Sequence, residues 1–295
     1  MRDDIDLTKI WGQVYANGGL MEAGEAVVSA LDRGFLHGDG VFETIRVYKG
    51  KPFMLDAHLE RMADGCSVIR ISPPDSEEIR RGVKLALEKN GLSDAYLRIT
   101  VTRGASGRLW YDLDHSTPTV VIITKPLVPK DFGEGLRLMV SAFRSDEESP
   151  LSRIKQTGIL WKILARAEAK ESGVDDAVLL NTKGRVAEAT SANMFWTRNK
   201  ALYTPAIHCG LLPGITRRIV IETARANGLA VREGAFALDE LKGAEEVFLT
   251  SSTWEIAPAK SLDGVLFPGG SPGPITRRLA DLYRQKVRET LNLEP

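Results

Sequence analysis

Three short segments carry residue types whose chemistry becomes useful when they act together. The first contains Lys155, whose amine can attack an aldehyde once it has lost its proton. The second contains Glu188, whose carboxylate can face the nitrogen of a pyridine ring. The third, Leu211 to Arg217, reads as a turn and a helix start, where backbone N–H groups and the helix dipole favour a phosphate. An aldehyde, a pyridine nitrogen and a phosphate together make up pyridoxal phosphate (PLP), so the ordered set predicts that cofactor.

Each segment alone also has an ordinary explanation. A lone lysine before a helix is usually a surface residue, a lone turn glutamate is usually solvated, and Thr216 can simply cap its helix. Ser251-Ser252-Thr253 after a strand offers a second set of N–H and O–H donors, but such loops are frequent. Arg61 can pair with a phosphate in a two-pronged fashion, but it also fits a solvent-facing helix position. The prediction therefore depends on all of these parts occurring in one order.

Alternating strands and helices must position these residues. Hydrophobic periodicity predicts strands at 41–48, 97–102, 120–124, 136–142, 177–180, 194–197 and 246–250, and helices from 55, over 159–171, over 216–227 and from 274. The strict alternation at 97–102 puts Arg98 on the polar face of its strand. We expect Glu188 at the start of a polar loop after a turn at 181–184. The pattern predicts a mixed α/β (α+β) fold without internal repeats.

The chain is long enough to form two domains. A segment with two prolines at residues 126–133 is predicted to be a linker. It would join a small N-terminal α+β domain at residues 1–125 to a large C-terminal cofactor-binding domain at residues 134–295. We expect the cofactor site between the two domains, where polar groups from both can converge.

Composition favours a soluble, cytoplasmic protein. Lys+Arg and Asp+Glu are both 39, so the formal net charge is zero and offers no general attraction for nucleic acid or an anionic membrane. No apolar run reaches the length of a membrane span, and the charged N-terminus lacks the apolar core of a signal peptide. Cys66 and Cys209 lie in unrelated contexts and the four histidines show no paired spacing. We therefore expect neither a disulfide nor a metal site.

Over nearly its whole length the chain resembles the class IV aminotransferases, which are fold-type IV PLP enzymes. The segments that carry the resemblance occur in the family's order: Arg33–Glu43, His58–Arg61, the Lys155 and Glu188 segments, Leu212–Arg217 and Phe248–Ile256. The family contains branched-chain amino acid transaminases, D-amino acid transaminases and aminodeoxychorismate lyases. The resemblance therefore implies a fold-type IV enzyme with PLP as cofactor, assembled as a homodimer.

The resemblance also implies roles for individual residues. Lys155 would be the catalytic residue, which carries the cofactor and moves the proton of the substrate α-carbon. Glu188 would pair with the ring nitrogen. The remaining cofactor-binding residues would be Arg61, Ser191, Asn193, Leu212, Gly214, Ile215, Thr216, Ser251 and Ser252. The substrate-binding residues would be Phe42, Arg98, Arg108 and Thr253, with Arg98 a candidate for recognising the distal carboxylate of glutamate or 2-oxoglutarate.

Departures from the family's patterns leave several activities open. Branched-chain transaminases usually have a tyrosine at the position of Leu160, whereas D-amino acid enzymes and lyases tend to have a leucine there. Arg108 matches an arginine that traps the α-carboxylate in D-amino acid enzymes, but Trp110 replaces the accompanying histidine. Tyr96-Leu97-Arg98 suits the branched-chain type. We expect transfer from an aliphatic, branched-chain-like L-amino acid to a 2-oxo acid such as 2-oxoglutarate. The alternatives are a D-amino acid transaminase, an aminodeoxychorismate lyase and, disfavoured by the retained lysine and glutamate, a non-catalytic PLP-binding protein.

Overall fold

The computed structural model describes residues 11–107, 113 and 117–294. These residues form two compact units. The first unit extends to Val128 and also contains Ile154–Gly158, whereas the second contains Pro129–Arg153 and the chain from Ile159 onward. The linear division expected from the sequence assigned residues 154–158 to the C-terminal domain. Their contacts instead place the segment that carries Lys155 in the first unit.

The first unit is built on a six-stranded antiparallel sheet. In chain order its strands are β1 (Gln13–Ala16), β2 (Gly19–Glu22), β3 (Gly40–Tyr48), β4 (Lys51–Pro52), β5 (Ala95–Thr102) and β6 (Thr119–Pro126). Its helices are α1 (Arg33–His37), α2 (Leu55–Val68) and α3 (Ser76–Lys89). The strand order is β2-β1-β6-β5-β3-β4, so the three longest strands are neighbours.

Side-chain alternation decides which face of this sheet meets the helices. The odd-numbered residues of β5 are buried and the even-numbered ones, including Arg98, are partly exposed, as the sequence predicts. The buried face forms one apolar core with α2 and α3. Glu43 shares this face with Val41 and Ile45, because alternate residues of a strand point the same way. A carboxylate therefore lies inside an otherwise apolar core.

The second unit is built on a mixed nine-stranded sheet. Its strands are β7 (Leu136–Ser145), β8 (Asp176–Asn181), β9 (Val186–Ala189), β10 (Asn193–Arg198), β11 (Ala201–Pro205), β12 (Val231–Gly234), β13 (Glu246–Ser251), β14 (Glu255–Leu262) and β15 (Val265–Leu266). Its helices are α4 (Leu160–Glu171), α5 (Ile215–Ala226), α6 (Leu238–Lys242) and α7 (Pro274–Leu291). The main strand order is β12-β11-β10-β13-β14-β7-β8-β9, with β15 paired to β14.

Two pairings in this sheet position predicted site residues. β8 and β9 form a hairpin in which Glu188 lies opposite Leu179, inside a strand and not at the start of a loop as we expected. The four residues of β9 are all buried, so the strand has no alternation that could reveal it. β10 pairs with β13 in antiparallel fashion, with Asn193 opposite Thr250. This pairing brings the serines that follow Thr250 close to the start of β10.

In the described part of the chain, no helix is both long and apolar enough to span a membrane. The same residues contain no cluster of three or more His, Cys, Asp or Glu side chains that could hold a metal ion. Cys66 and Cys209 are both buried free thiols. Burial raises the pKa of the Cys66 thiol to about 11, so this thiol stays protonated at neutral pH.

Candidate active site

Backbone pairing fixes the segment that carries Lys155. The N–H of Phe42 donates to the carbonyl oxygen of Lys155 at 2.8 Å, and the N–H of Thr157 donates to the carbonyl oxygen of Gly40 at 2.9 Å. Thr157 Oγ1 also donates to the carbonyl oxygen of Gly38 at 2.7 Å. The segment therefore makes a short antiparallel bridge to the start of β3. This bridge accounts for its membership of the first unit.

A glycine is required where this segment approaches the end of α1. Gly38 caps α1 with a left-handed φ of 66°, which residues with a side chain rarely adopt. A Cβ on Gly38 would lie 3.1 Å from the Cα of Gly158. Any larger residue at position 38 would strain the backbone and push the segment that carries Lys155 away from β3.

An ion cluster stabilises the turn before β3. Asp39 Oδ2 accepts from Arg33 Nε at 2.9 Å and from Arg103 Nε at 2.7 Å. Burial alone would raise the pKa of Asp39, but the hydrogen bonds and charges of Arg103 and Arg33 outweigh it and lower the pKa. Arg103 also donates to the carbonyl oxygens of Ile69 and Arg70. The cluster thereby joins the start of β3 to the end of α2.

Two cationic side chains contact the ring of Phe42. The guanidinium carbon of Arg98 lies 3.7 Å from the ring centroid, and Lys155 Nζ lies 4.7 Å from it. Both distances are within the range of a cation–π interaction. Arg98 Nε also donates to Thr100 Oγ1 at 3.1 Å, which fixes its direction. The structure thus brings together three predicted site residues within the first unit: an amine, an apolar ring and a guanidinium.

Glu43 is a buried partner of Arg61 that the sequence did not indicate. Its carboxylate accepts from Arg61 Nε at 2.8 Å and from Arg61 Nη2 at 2.6 Å. It also pairs with His58 Nδ1 at 2.7 Å. Burial alone would raise the pKa of Glu43, but the charge of Arg61 and hydrogen bonds from His58 and Arg61 lower that pKa to about 2. Because an ionised carboxylate only accepts hydrogen bonds, His58 must donate from Nδ1.

His58 and Arg61 lie three residues apart on α2 and meet the same carboxylate. Burial lowers the pKa of His58, and this effect outweighs the opposing influence of Glu43. The positive charges of Arg61 and Lys155 also lower the pKa of His58. His58 is therefore neutral at pH 7, and Glu43 and Arg61 form the ion pair of the trio. The predicted phosphate contact, Arg61, is thus oriented through its Nε–Nη2 edge.

The second group of predicted residues surrounds Glu188 in the second unit. Lys162 Nζ donates to Glu188 Oε1 at 2.6 Å. Asn193 Nδ2 and the N–H of Leu212 both donate to Glu188 Oε2 at 3.3 Å. Asn193 Nδ2 also donates to the carbonyl oxygen of Leu212 at 2.9 Å. The structure therefore brings together three predicted residues and adds Lys162, which as a lysine in an amphipathic helix resembles any surface residue in the sequence.

The first turn of α5 presents donors suited to an anion. Gly214 is the N-cap, and no side chain caps the helix there. A Cβ on Gly214 would lie 1.9 Å from Asn193 Oδ1, so only glycine lets the backbone approach this amide. Ile215 and Thr216 follow as buried residues of the first turn. Uncapped N–H groups at the positive end of a helix dipole favour a phosphate.

A buried hydroxyl without a partner lies in the strand next to Asn193. Thr250 is 2% exposed, and its Oγ1 makes no hydrogen bond to any described group. Burying a hydroxyl without a partner costs free energy, so a bound acceptor is expected near it. Ser251 and Ser252 follow, and Ser251 Oγ accepts from the N–H of Trp254 at 3.3 Å in the turn that contains Thr253. This second observation supports an anion site in the second unit.

Two predicted contacts belong to neither group. Ser191 is exposed in the turn between β9 and β10. Arg108 lies outside the described residues, as does Trp110.

Comparison with known proteins decides the family. The family model described as "Amino-transferase class IV" matches residues 40–262. The chain belongs to this family. Class IV aminotransferases use PLP, so PLP is the cofactor of this enzyme. The predicted family and cofactor are thereby confirmed. Within the second unit, the buried Glu188 carboxylate, the uncapped start of α5 and the buried Thr250 hydroxyl are groups that fit the ring nitrogen and the phosphate of PLP.

Curated relatives of this class IV aminotransferase carry three different names. A putative branched-chain-amino-acid aminotransferase of Methanocaldococcus jannaschii is 37% identical over 92% of this chain and 95% of its own length. A D-alanine aminotransferase of Bacillus licheniformis is 36% identical over 93% of this chain and 97% of its own length. An aminodeoxychorismate lyase of Bacillus subtilis is 32% identical over 95% of this chain and 96% of its own length. The relatives therefore agree on the family, whereas their names divide between substrates.

Solved structures confirm the predicted mixed α/β fold of type IV. The branched-chain amino acid aminotransferase from Escherichia coli matches with a TM-score of 0.87 and 27% identity, over 94% of each chain. The branched-chain aminotransferase of Thermoproteus uzoniensis with norvaline matches with a TM-score of 0.87 and 32% identity, over 93% of this chain and 94% of that one.

Proposed function

We propose that this class IV aminotransferase moves the amino group of an aliphatic, branched-chain-like L-amino acid to a 2-oxo acid such as 2-oxoglutarate. The observation that carries the proposal is the placement of Arg98 and Lys155 on the ring of Phe42. The ring offers an apolar surface for an aliphatic side chain. The guanidinium offers a two-pronged partner for the second carboxylate of glutamate or 2-oxoglutarate. One pocket can then accept both kinds of substrate in alternate half-reactions.

Lys155 is proposed as the catalytic residue. When bound, PLP withdraws electrons from the α-carbon of the amino acid. Lys155 Nζ holds the cofactor in the resting enzyme, takes the proton from the substrate α-carbon and retains it for the return step. Glu188 keeps the ring nitrogen of the cofactor protonated, which strengthens the withdrawal of electrons. Asn193 and Leu212 support Glu188 through the hydrogen bonds that they donate to Oε2.

The remaining predicted residues are proposed as binding groups. Phosphate contacts are assigned to Arg61, Gly214, Ile215, Thr216, Ser251 and Ser252. The backbone at Thr253 is assigned to the α-carboxylate of the substrate, and Arg108 is assigned to the substrate side of the site. Ser191 is proposed as a support of the cofactor pocket. These assignments follow the family resemblance and agree with the donors found around Glu188 and at the start of α5.

The role of Arg98 can be tested with a matched pair of variants. In the R98M variant we expect the KM for 2-oxoglutarate to rise at least about tenfold, because a charged hydrogen bond is lost. The rate of the L-leucine half-reaction should stay within about twofold of the wild type, since the side chain of leucine has no charge for Arg98 to pair with and the α-carboxylate is assigned to the backbone at Thr253. Lys125 is the control, because it lies 5.3 Å from the ring of Tyr96 on the neighbouring strand. K125M should change neither value. If R98M impairs the reaction of 2-oxoglutarate and the reaction of L-leucine to the same extent, the assigned role of Arg98 is refuted.

A D-amino acid transaminase is the second candidate. The 36% identity to a D-alanine aminotransferase favours it. Leu160 favours it as well, because leucine cannot donate a hydrogen bond to the ring hydroxyl of the cofactor. A half-reaction with D-alanine, and none with L-leucine, would establish this activity. An aminodeoxychorismate lyase is the third candidate, and release of pyruvate without an amino acceptor would identify it.

We also propose that the enzyme acts as a homodimer in the cytoplasm. The helix α4 exposes Leu160, Ile163 and Leu164 by 65%, 55% and 46%. The spacing of these residues places them on one face of the helix, and together they form an apolar stripe. The first unit exposes Phe35 by 75% near the end of α1. Exposed apolar side chains of this kind are typical of an interface, and a second copy of the chain is the proposed partner.

A further inference from the structure

Lys162 lies in the first turn of α4 and forms an ion pair with the buried Glu188. Its Nζ is 2.6 Å from Glu188 Oε1, and the two side chains are 22% and 4% exposed. A cation in the first turn of a helix meets the positive end of the helix dipole, which is unfavourable. The preference of the helix therefore does not explain a lysine at this position, whereas the carboxylate does.

The two oxygens of Glu188 are engaged unequally. Oε1 accepts a short, charge-assisted hydrogen bond from Lys162. Oε2 accepts two hydrogen bonds, each 3.3 Å long, from the neutral donors Asn193 and Leu212. Hydrogen bonds of this length are weak, and a carboxylate has about four acceptor positions in all. Both acceptor positions of Oε2 are therefore held only weakly, and a strong donor can displace one of these hydrogen bonds.

The other charges near this pair balance each other. Arg166 lies one turn after Lys162 on α4, and its Nη1 is 2.5 Å from Asp176 Oδ2 on β8, the strand next to β9. Thr190 Oγ1 donates to the other oxygen of Asp176 at 2.6 Å. This neighbouring pair contributes no net charge. Among the described residues of the second unit, Lys162 is the cation that forms an ion pair with Glu188.

We propose that Lys162 is a positioning residue for Glu188, which it holds through Oε1 while Oε2 remains for the ring nitrogen of PLP. The proposal rests on the assignment of Glu188 to that nitrogen. Two cations then share one carboxylate, and each weakens the attraction of the carboxylate for the other. Lys162 consequently limits how strongly Glu188 retains the proton on the ring nitrogen. A lysine that only stabilised the helix would have no such effect.

The test compares the affinity of PLP with that of its 1-deaza analogue, in which a carbon replaces the ring nitrogen. Both dissociation constants are measured by titration into the cofactor-free enzyme. In the K162M variant the carboxylate has lost its competing cation, so we expect PLP to bind more tightly. The preference for PLP over the analogue should rise at least about tenfold, which corresponds to one pKa unit at the nitrogen.

Two further variants separate this effect from a structural one. K162R restores a cation and should restore the wild-type preference. K170M makes the same substitution at an exposed position in the last turn of α4 and should leave the preference unchanged. If K162M does not fold, as judged by circular dichroism, K162Q gives the same comparison with a shorter neutral side chain.

An unchanged or lower preference for PLP in K162M would overturn the proposal, because Lys162 would then not weaken the attraction of Glu188 for the ring nitrogen. A failure of the proposed function has a different signature. In that case the wild-type enzyme itself would bind PLP and the analogue equally well, and the E188Q variant would behave like the wild type. The two outcomes are therefore distinguishable in one set of titrations.

Discussion

Glu43 accepts two parallel hydrogen bonds from Arg61, from Nε at 2.8 Å and from Nη2 at 2.6 Å, inside the apolar core of the first unit. This fork-to-fork geometry fixes both the position and the plane of the guanidinium. A buried carboxylate is costly unless it is paired, so the pair has a structural function at least. Because Arg61 is also the proposed phosphate contact, Glu43 links the core of the first unit to cofactor binding.

Replacing Glu43 with glutamine should therefore affect both stability and cofactor affinity. The E43Q variant keeps the shape of the side chain but removes the negative charge that pairs with Arg61 in the core. We expect the free energy of unfolding in urea to fall by on the order of 3 kcal/mol and the dissociation constant of PLP to rise at least about tenfold. E60Q is the control, because Glu60 is exposed on the same helix next to Arg61. An E43Q variant that matches E60Q in both measurements would show that the pair has neither role.

Acidification should destabilise the protein in two steps. The pKa of Glu43 is about 2 in the folded protein against an ordinary value of 4.5, so the unfolded chain takes up the proton first as the pH falls. Stability that is present above about pH 4.5 is then lost towards pH 2, on the order of 3 kcal/mol in all. The pKa of His58 is likewise lowered from 6.5, so stability is also lost as the pH falls below about 6.5.

Urea denaturation between about pH 7.5 and pH 5 isolates the histidine step. The H58Q variant should lose less stability over this range than the wild type, because glutamine does not titrate. H208Q, at an exposed histidine, should follow the wild type. If H58Q and the wild type lose the same stability over this range, the lowered pKa of His58 makes no contribution.

The contact between Gly214 and Asn193 predicts a defect in cofactor binding. In the G214A variant the new Cβ would lie 1.9 Å from Asn193 Oδ1, so the amide must move and its hydrogen bonds to Glu188 and Leu212 weaken. We expect the dissociation constant of PLP to rise about tenfold or more. The control G19A adds a Cβ that meets nothing within 4 Å. In an N193A background the clash is absent, so G214A should then add little. A large further loss in that background would contradict the proposed cause.

The apolar stripe on α4 predicts an effect on assembly. The L164K variant places a charge in the stripe, so we expect the enzyme to shift from dimer towards monomer in sedimentation velocity at micromolar concentration. L266K is the matched control, because Leu266 is 69% exposed on β15, outside α4. L266K should remain dimeric. A dimeric L164K enzyme would place the interface elsewhere.

The sequence indicates residues whose pattern is local, and it misses those that depend on pairing. The alternation of β5 is visible because one face is buried, and this placed Arg98 correctly. Glu188 was expected in a loop because β9 is short and buried on both faces. In the sequence Glu43 is visible only as a charged residue on the apolar face of β3. Its role as the partner of Arg61 depends on where α2 packs. The pairing of Lys162 with Glu188 joins residues 26 positions apart, which no spacing rule can reveal.

The helix α3 has clear local signals in its sequence, although it is not among the helices predicted above. α3 begins after Asp75, whose side chain accepts from the N–H of Glu77, and buries Ile79, Val83 and Leu87 on one face. A capping residue followed by this periodicity is a standard indication of a helix. The assignment of residues 154–158 to the first unit is different, because it follows from backbone bonds to β3 and leaves no trace in the local sequence.

The most direct test of the proposed activity is a half-reaction followed by absorbance on the purified enzyme with PLP bound. Single amino acids are added without an acceptor, and the loss of the pyridoxal form and the rise of the pyridoxamine form are recorded. We predict fast conversion with L-leucine and L-valine and none with D-alanine or D-glutamate. Conversion with the D-amino acids alone would contradict the proposal and assign the D-transaminase activity. No conversion with any of the four amino acids would also contradict it and would favour the lyase.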